Sequence, residues 1–434
     1  MRFVFAALVA FALPAQAEIP IQAVTSPGGI KAWLVEDHGI PFTALEILFR
    51  GGTSLDPVDQ RGVVNLMTAL IEEGAGDLDA QGFAEARDAL AAQFSFSAND
   101  DSIGVSAQFL TENQAEATDL LHLALTQPRF DADAVERVRG QVISNIQSNA
   151  KDPATIAQRR FDMMAFGKHP YGSADSGTEQ SVAGLSRADI VAANKASLVR
   201  DRVYVAAAGD IDAEKLGILL DKLLGDLPAT GAALPPDAVY ALKGGVTVVD
   251  FPSPQSSVVF GQQGIKRDDP DFIPAYMLNE ILGGGRFSAR LMTEVRDKRG
   301  LTYGIGTYLW PMDHAELMLG QFSSANANVA PAIGLIKQEW ADVVKDGVTA
   351  DELAAIKTYL TGSYPLRFDG NSRIAGILVG MQIEGLPIDY AKTRNEKIEA
   401  VTLDDMAKIV KRLLKPDDLH FVVVGQPDGL TTTP

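Results

Sequence analysis

The chain has 434 residues, a formal net charge of −18, 46% hydrophobic and 22% charged residues, and no cysteine. That length allows two domains with cores of their own, and the composition is that of a globular chain. Without cysteine there are no disulfides, thiolate nucleophiles or cysteine metal sites, and the acidic balance disfavours nucleic acid and anionic membrane surfaces as partners.

The first seventeen residues stand apart. Arg2 gives a basic start, Phe3 to Leu13 form an apolar run, and Ala15-Gln16-Ala17 is a small-x-small cleavage pattern. This predicts a signal peptide over residues 1–17, cut before Glu18, and an exported product, periplasmic if the source is a Gram-negative bacterium. A membrane anchor needs roughly 20 apolar residues, and neither this run nor any other reaches that length. No membrane span is expected.

From Ile19 the pattern is α+β. Short apolar runs at Ile30–Val35 and Phe42–Phe49, the second closed by Gly51-Gly52, read as strands. Helical spacing begins near Gly62 with Val63, Val64, Leu66, Met67, Leu70 and Ile71. Further helices are expected over Ala80–Gln93, Asn113–Leu125 and Ala132–Ala150. Asp152-Pro153 breaks the last of these, and a new helix starts at Ala154.

An internal repeat gives the larger plan. Ser186-Arg187-Ala188-Asp189 opens a helix with a capping pattern and leads to the apolar run Val203–Ala208 and Gly209. Thr402-Leu403-Asp404-Asp405 opens another in the same way and leads to Phe421–Val424 and Gly425. The intervals match, 186 to 209 and 402 to 425. Upstream, Phe49-Arg50-Gly51-Gly52 is echoed loosely by Phe260-Gly261-Gln262-Gln263-Gly264. A unit of some 210 residues is therefore duplicated. The expected fold is two α+β halves, residues 19–227 and 245–430, each a mainly antiparallel sheet covered by helices. A Pro/Gly/Ala-rich linker over residues 228–244 joins them.

Self-contained catalytic apparatus is missing from the pattern. The five histidines (His38, His122, His169, His314, His420) are scattered, so no zinc helix can be written. No Gly-x-Ser-x-Gly elbow occurs, and Ser148-Asn149-Ala150-Lys151 lacks the companions of a Ser-x-x-Lys site. Gly283-Gly284-Gly285 is followed by no phosphate-loop pattern.

That glycine run opens the most informative stretch. Ser288 is the expected N-cap of a helix with the stripe Leu291, Met292 and Val295, and Gly300 is its stop. Alternation from Leu301 through Tyr303, Ile305, Thr307 and Leu309 predicts a strand. The turn at Gly300 would bring Arg296 and Tyr303 to one place. Taken alone, the stretch reads first as a structural unit whose basic residues complement the helix dipole and whose Tyr303 fills a core.

The duplicated halves and this stretch together resemble the pitrilysin/insulinase family of zinc peptidases, including processing-peptidase-like proteins, over nearly the whole chain after residue 17. In the N-terminal half, Arg61 to Ala69 is similar to the region of the family's inverted zinc motif, H-x-x-E-H. Asn65 and Ala69 stand at the two His positions, Thr68 at the Glu, and Asn145 at the later Glu ligand. Alanine has no donor atom, neutral amides are poor zinc ligands, and threonine is no general base at neutral pH. No metal is expected in this chain.

Gly283–Gly285 and Val295-Arg296-Asp297-Lys298-Arg299-Gly300-Leu301-Thr302-Tyr303 match the family's glycine loop and Arg/Tyr pair. The resemblance implies that Arg296 and Tyr303 contact a peptide substrate and support the reacting carbonyl, and that the glycines line a substrate loop. It also implies a heterodimer in which an H-x-x-E-H partner subunit carries the zinc, with a peptide or unfolded protein as substrate. His169, in Phe166-Gly167-Lys168-His169-Pro170-Tyr171-Gly172, is expected to shape a loop. The alternative is a peptide-binding or assembly module of the same fold with no proteolytic role.

Overall fold

The computed structural model describes residues 19–433. The predicted signal peptide, residues 1–17, lies outside them. Among the described residues no helix is long and apolar enough to cross a membrane.

The N-terminal half runs β1 (Gln22–Thr25), β2 (Lys31–Glu36), β3 (Phe42–Arg50), α1 (Val63–Ala69), the two-residue strands β4 (Gly74–Ala75) and β5 (Leu78–Asp79), and α2 (Ala80–Ala89). It continues through β6 (Gln93–Ala98), β7 (Ser102–Leu110), α3 (Gln114–Thr126), α4 (Ala132–Asn149) and α5 (Pro153–Phe166). It closes with α6 (Glu179–Gly184), α7 (Arg187–Ser197), β8 (Val203–Gly209) and α8 (Ala213–Leu224).

The C-terminal half comprises β9 (Gly245–Asp250), β10 (Gln255–Gln263), α9 (Phe272–Leu282), β11 (Ile305–Pro311), β12 (Glu316–Ala325) and α10 (Asn326–Asp346). It ends with α11 (Ala350–Ser363), α12 (Asn371–Ile383), α13 (Tyr390–Ala400), α14 (Leu403–Leu413) and β13 (His420–Gly425).

The two main sheets have matching topologies. The first is ordered β1-β2-β8-β3-β7-β6 and the second β11-β12-β10-β13-β9. Each is antiparallel except for one parallel pair, β2 with β8 and β9 with β13. The repeated sequence signals sit at equivalent places. Ser186 with Asp189 and Thr402 with Asp405 each form a complete capping box, on α7 and α14. Gly209 and Gly425 end β8 and β13 at positive φ (122° and 155°), with Phe42 and Ser256 too close for a Cβ.

Alternation within the strands sends side chains to two buried faces. In the first sheet Leu45, Ile47, Val205 and Ala207 enter the core of their own half, while Ala44, Ala206 and Ala208 point the other way. The second sheet behaves alike: Phe260, Phe421 and Val423 face one side, Val259, Val422 and Val424 the opposite one. Strands buried on both faces carry unbroken apolar runs, which is why Val203–Ala208 and Phe421–Val424 do not alternate in hydropathy.

What covers those second faces comes from the other half. α5 lays Ala157, Phe161 and Ala165, four residues apart, across β10 and β13. In return α12 lays Ala375, Leu378 and Val379 across β3 and β8. Arg50 fixes the exchange: its guanidinium donates to the Ile383 carbonyl at the end of α12 and pairs with Asp313 at 3.3 Å.

The segment joining the halves has no helix or strand between Leu224 and Gly245. It is held along its length all the same. Arg200 and Asp201 N–H groups donate to the Pro228 and Ala229 carbonyls, Ala241 N–H donates to Ala165 O, and Leu242 is buried beside α5. α2 stops at Ala89, short of the expected Gln93, because Ala91 takes a left-handed conformation (φ 50°) and β6 begins.

Candidate functional site

The Gly283–Tyr303 stretch differs locally from its sequence reading. Ser288 is exposed and makes no capping bond, and residues Met292–Asp297 form a π-helical turn instead of an α-helix. In that turn the Lys298 N–H reaches the Thr293 carbonyl, five residues back (3.0 Å). Leu291, Met292 and Val295 are buried as expected, and Gly300 (φ 62°) terminates the turn.

Tyr303 is not on a strand. The Thr302 hydroxyl donates to the Ser323 carbonyl (2.7 Å), and Ser324 Oγ donates to Leu301 O, so Leu301–Gly304 is a loop pinned to β12. β11 begins only at Ile305, opposite Phe322. This loop turns the Tyr303 side chain outward, 91% exposed.

Arg296 and Tyr303 do meet, but through the main chain. Arg296 Nε donates to the Tyr303 carbonyl (3.0 Å), one terminal nitrogen donates to Asp297 Oδ1 (2.7 Å), and the guanidinium lies over the Phe287 ring at 5.0 Å. The phenol is left as an outward-facing donor on the wall of a groove of about 570 Å³. Gly283, Gly285, Thr302, Thr307 and Tyr308 also line that groove; Arg296 stands behind it.

The three glycines divide in role. The Gly283 carbonyl accepts from Thr307 N–H (2.7 Å), and a Cβ there would lie 2.5 Å from the Thr307 hydroxyl. At Gly284 a Cβ would fall against the Glu280 carboxylate. At Gly285 it would meet nothing within 4 Å. Phe287, Thr302 and Thr307 were absent from the sequence-derived site. Phe287 is an exposed aromatic two residues after the glycine run, which was a readable signal; Thr302 and Thr307 act through β12 and α9, which sequence spacing does not reveal.

The positions expected from the resemblance to correspond to zinc ligands lie on packed helices, α1 against α4. Thr68 is buried, its hydroxyl donating to Val64 O of its own helix (2.8 Å). Ala69 is exposed and Asn65 half-buried. On α4, Asn145 Oδ1 accepts from Gln141 (3.0 Å). A methyl, two amides and an engaged hydroxyl do not fit a zinc ion. Among the described residues no three His, Asp or Glu side chains are grouped so as to hold a metal. His169 caps a short turn at Pro170–Gly172, accepting from Tyr171 N–H, and its Nε2 lies 3.0 Å from Pro236 O.

A buried polar hub lies at the start of α1. The buried Arg61 guanidinium donates to the Thr53, Pro170 and Ser173 carbonyls and to Asp100 (3.0 Å). Asp56 accepts from Gly62 and Val64 N–H (2.7 and 2.9 Å) and pairs with Arg61. Burial pushes its carboxyl up to about 6 against these bonds.

The duplicated fold with a ligand-free α1 defines a peptidase-like clamshell half without the metal motif. Residues 31–179 match the family described as insulinase (peptidase family M16), and residues 184–360 match the peptidase M16 inactive domain. The chain belongs to the M16 insulinase/pitrilysin peptidase family. It is similar to the non-peptidase homolog YmxG of Helicobacter pylori, 25% identical over 391 residues and 90% of both chains. It also resembles the mitochondrial-processing peptidase subunit beta of Lentinula edodes, 20% identical over 75% of this chain and 72% of that one. A crystal structure described as a peptidase M16 inactive domain, from Pseudomonas fluorescens, superposes with a TM-score of 0.89 at 27% identity. It covers 96% of this chain and 99% of that one.

Proposed function

We propose that this chain is the metal-free subunit of an exported heterodimeric zinc peptidase. It supplies half of a substrate chamber and, at Arg296 and Tyr303, donors for the peptide and its reacting carbonyl; the zinc belongs to an H-x-x-E-H partner. The observation that carries this reading is the state of Tyr303: a phenol 91% exposed beside a glycine loop, on a segment pinned from behind by Arg296 and Thr302. An aromatic donor held outward in this way is suited to meet a group from another molecule. The names of two relatives add support, one a non-peptidase homolog and one a processing-peptidase subunit.

The test mixes this chain with an exported H-x-x-E-H protein from the same genome and measures peptide cleavage and bound zinc. Cleavage is expected from the mixture and not from this chain alone. Tyr303→Phe and Arg296→Ala should each lower kcat of the mixture, by about 100-fold if they act as oxyanion donors. A mixture whose activity is indifferent to both substitutions sinks the proposed role of the pair. Peptide binding without cleavage in any mixture would favour a binding module.

A further inference from the structure

A second cavity, of about 650 Å³, lies between α9, β11, α12 and α13, and shares only the Tyr308 wall with the Tyr303 groove. Its charge runs against that of the protein. In a chain of net charge −18, four arginines line it (Arg267, Arg367, Arg373 and Arg394) against two carboxylates, Glu280 and Glu384.

Two of the four arginines are engaged. Arg267 Nε donates to Glu384 (2.7 Å) and stacks on Phe272 at 4.3 Å, while Arg394 donates to Leu360 O (3.1 Å) and stacks on Tyr364 at 4.2 Å. Arg367 and Arg373 are exposed at the rim, and their guanidinium groups have no ion-pair or hydrogen-bond partner among the described residues. Two free guanidinium groups beside a cavity suit a carboxylate, and the nearby Glu280 disfavours a more highly charged phosphate.

Among the residues lining the cavity is a buried amide. Asn279 is 2% exposed, its Nδ2 donates to Thr307 O (3.2 Å), and its Oδ1 has no hydrogen-bond partner. A buried carbonyl oxygen in that state calls for an N–H donor. The intervening walls are aromatic and aliphatic: Phe272, Tyr276, Leu309 and Ile377.

We infer that this cavity binds the carboxyl end of a peptide. The terminal carboxylate lies at Arg367 and Arg373, a terminal apolar or aromatic side chain packs against Phe272 and Tyr276, and a peptide N–H serves Asn279 Oδ1. A carboxylate, an apolar body and an amide N–H are the features of an acylated terminal amino acid. The site is separate from Arg296 and Tyr303 and stands whether or not a zinc-bearing partner exists.

The experiment uses the full chain and two fluorescein-labelled tetrapeptides of one sequence ending in Phe, one a free acid and one a carboxamide. Affinities are read by fluorescence polarisation. The acid should bind about 10-fold more tightly than the amide. The double variant Arg367→Gln/Arg373→Gln, whose side chains lie at the surface, should erase that preference while keeping the wild-type melting temperature. Arg296→Ala and Tyr303→Phe should leave the preference intact, which separates this site from the proposed catalytic contact. Equal binding of acid and amide by the wild type, or a preference that survives the double variant, overturns the inference.

Discussion

A Cβ added at Gly283 meets the Thr307 hydroxyl, while one added at Gly285 projects into open space. None of the three loop glycines takes a positive φ, so space, not backbone conformation, is what they provide. Gly283→Ala should therefore destabilise the fold, by about 1–3 kcal/mol, as overpacking does. Gly285→Ala should leave stability within about 0.5 kcal/mol of wild type. If Gly285 is kept clear for an incoming chain, its alanine variant will weaken peptide binding with an unchanged melting curve. Thermal melts of both variants decide the first point, and peptide titration the second. The sequence showed three equivalent glycines because their neighbours, Thr307 and Glu280, lie on other elements or one turn back. Arg296 and Tyr303 were legible as neighbours because Gly300 marks a turn whatever surrounds it. That they meet through a carbonyl and not through the phenol follows from Thr302 bonding to β12, which is tertiary information.

Among the elements, α5 and α12 each pack across the sheet of the other half. Leu378 on α12 is fully buried against the sheet of the other half. Leu378→Ala should cost about 2–5 kcal/mol, the range for a leucine cut back in a packed core. Guanidinium unfolding should show the loss as a lower midpoint in a single transition, with circular dichroism and tryptophan fluorescence coincident. Separate transitions would mean that the halves are stable independently. Most helices and strands could be read from periodicity, since each buries one face in its own half. The partnership of α12 with β3 and β8 could not. Its apolar residues, Ile374, Ala375, Ile377, Leu378, Val379 and Met381, surround much of the helix. That marks a buried helix but does not name its neighbour. The π turn at Met292–Asp297 was likewise hidden, because Leu291 and Val295 are buried in either helix type.

At the scale of the whole molecule, the halves together line an open cavity of about 980 Å³ with Asp162 of α5 on its wall. Burial pushes the Asp162 carboxyl up to about 7; Gln158 opposes the shift by donating to it (2.9 Å), and Asp100 and Asp175 add to it. The folded chain thus keeps a proton that the unfolded chain releases near pH 4. The contribution of this group to stability falls as pH rises from about 4 to 7, the opposite of a salt-bridged carboxylate. Asp162→Asn should melt a few degrees above wild type at pH 8 and close to it at pH 4. Equal melting temperatures at both pH values would show that the carboxyl is not strained in the folded state.

The exchange of α5 and α12 also sets an order of events during synthesis. The first sheet is complete once β8 has left the ribosome, yet Val35, Ala44, Ala206 and Ala208 have no cover until residues 371–383 have been made. α5, by contrast, is made before the sheet it will cover. The N-terminal half must therefore wait, with one sheet face bare and open to a chaperone or to another nascent chain, until nearly the whole polypeptide exists.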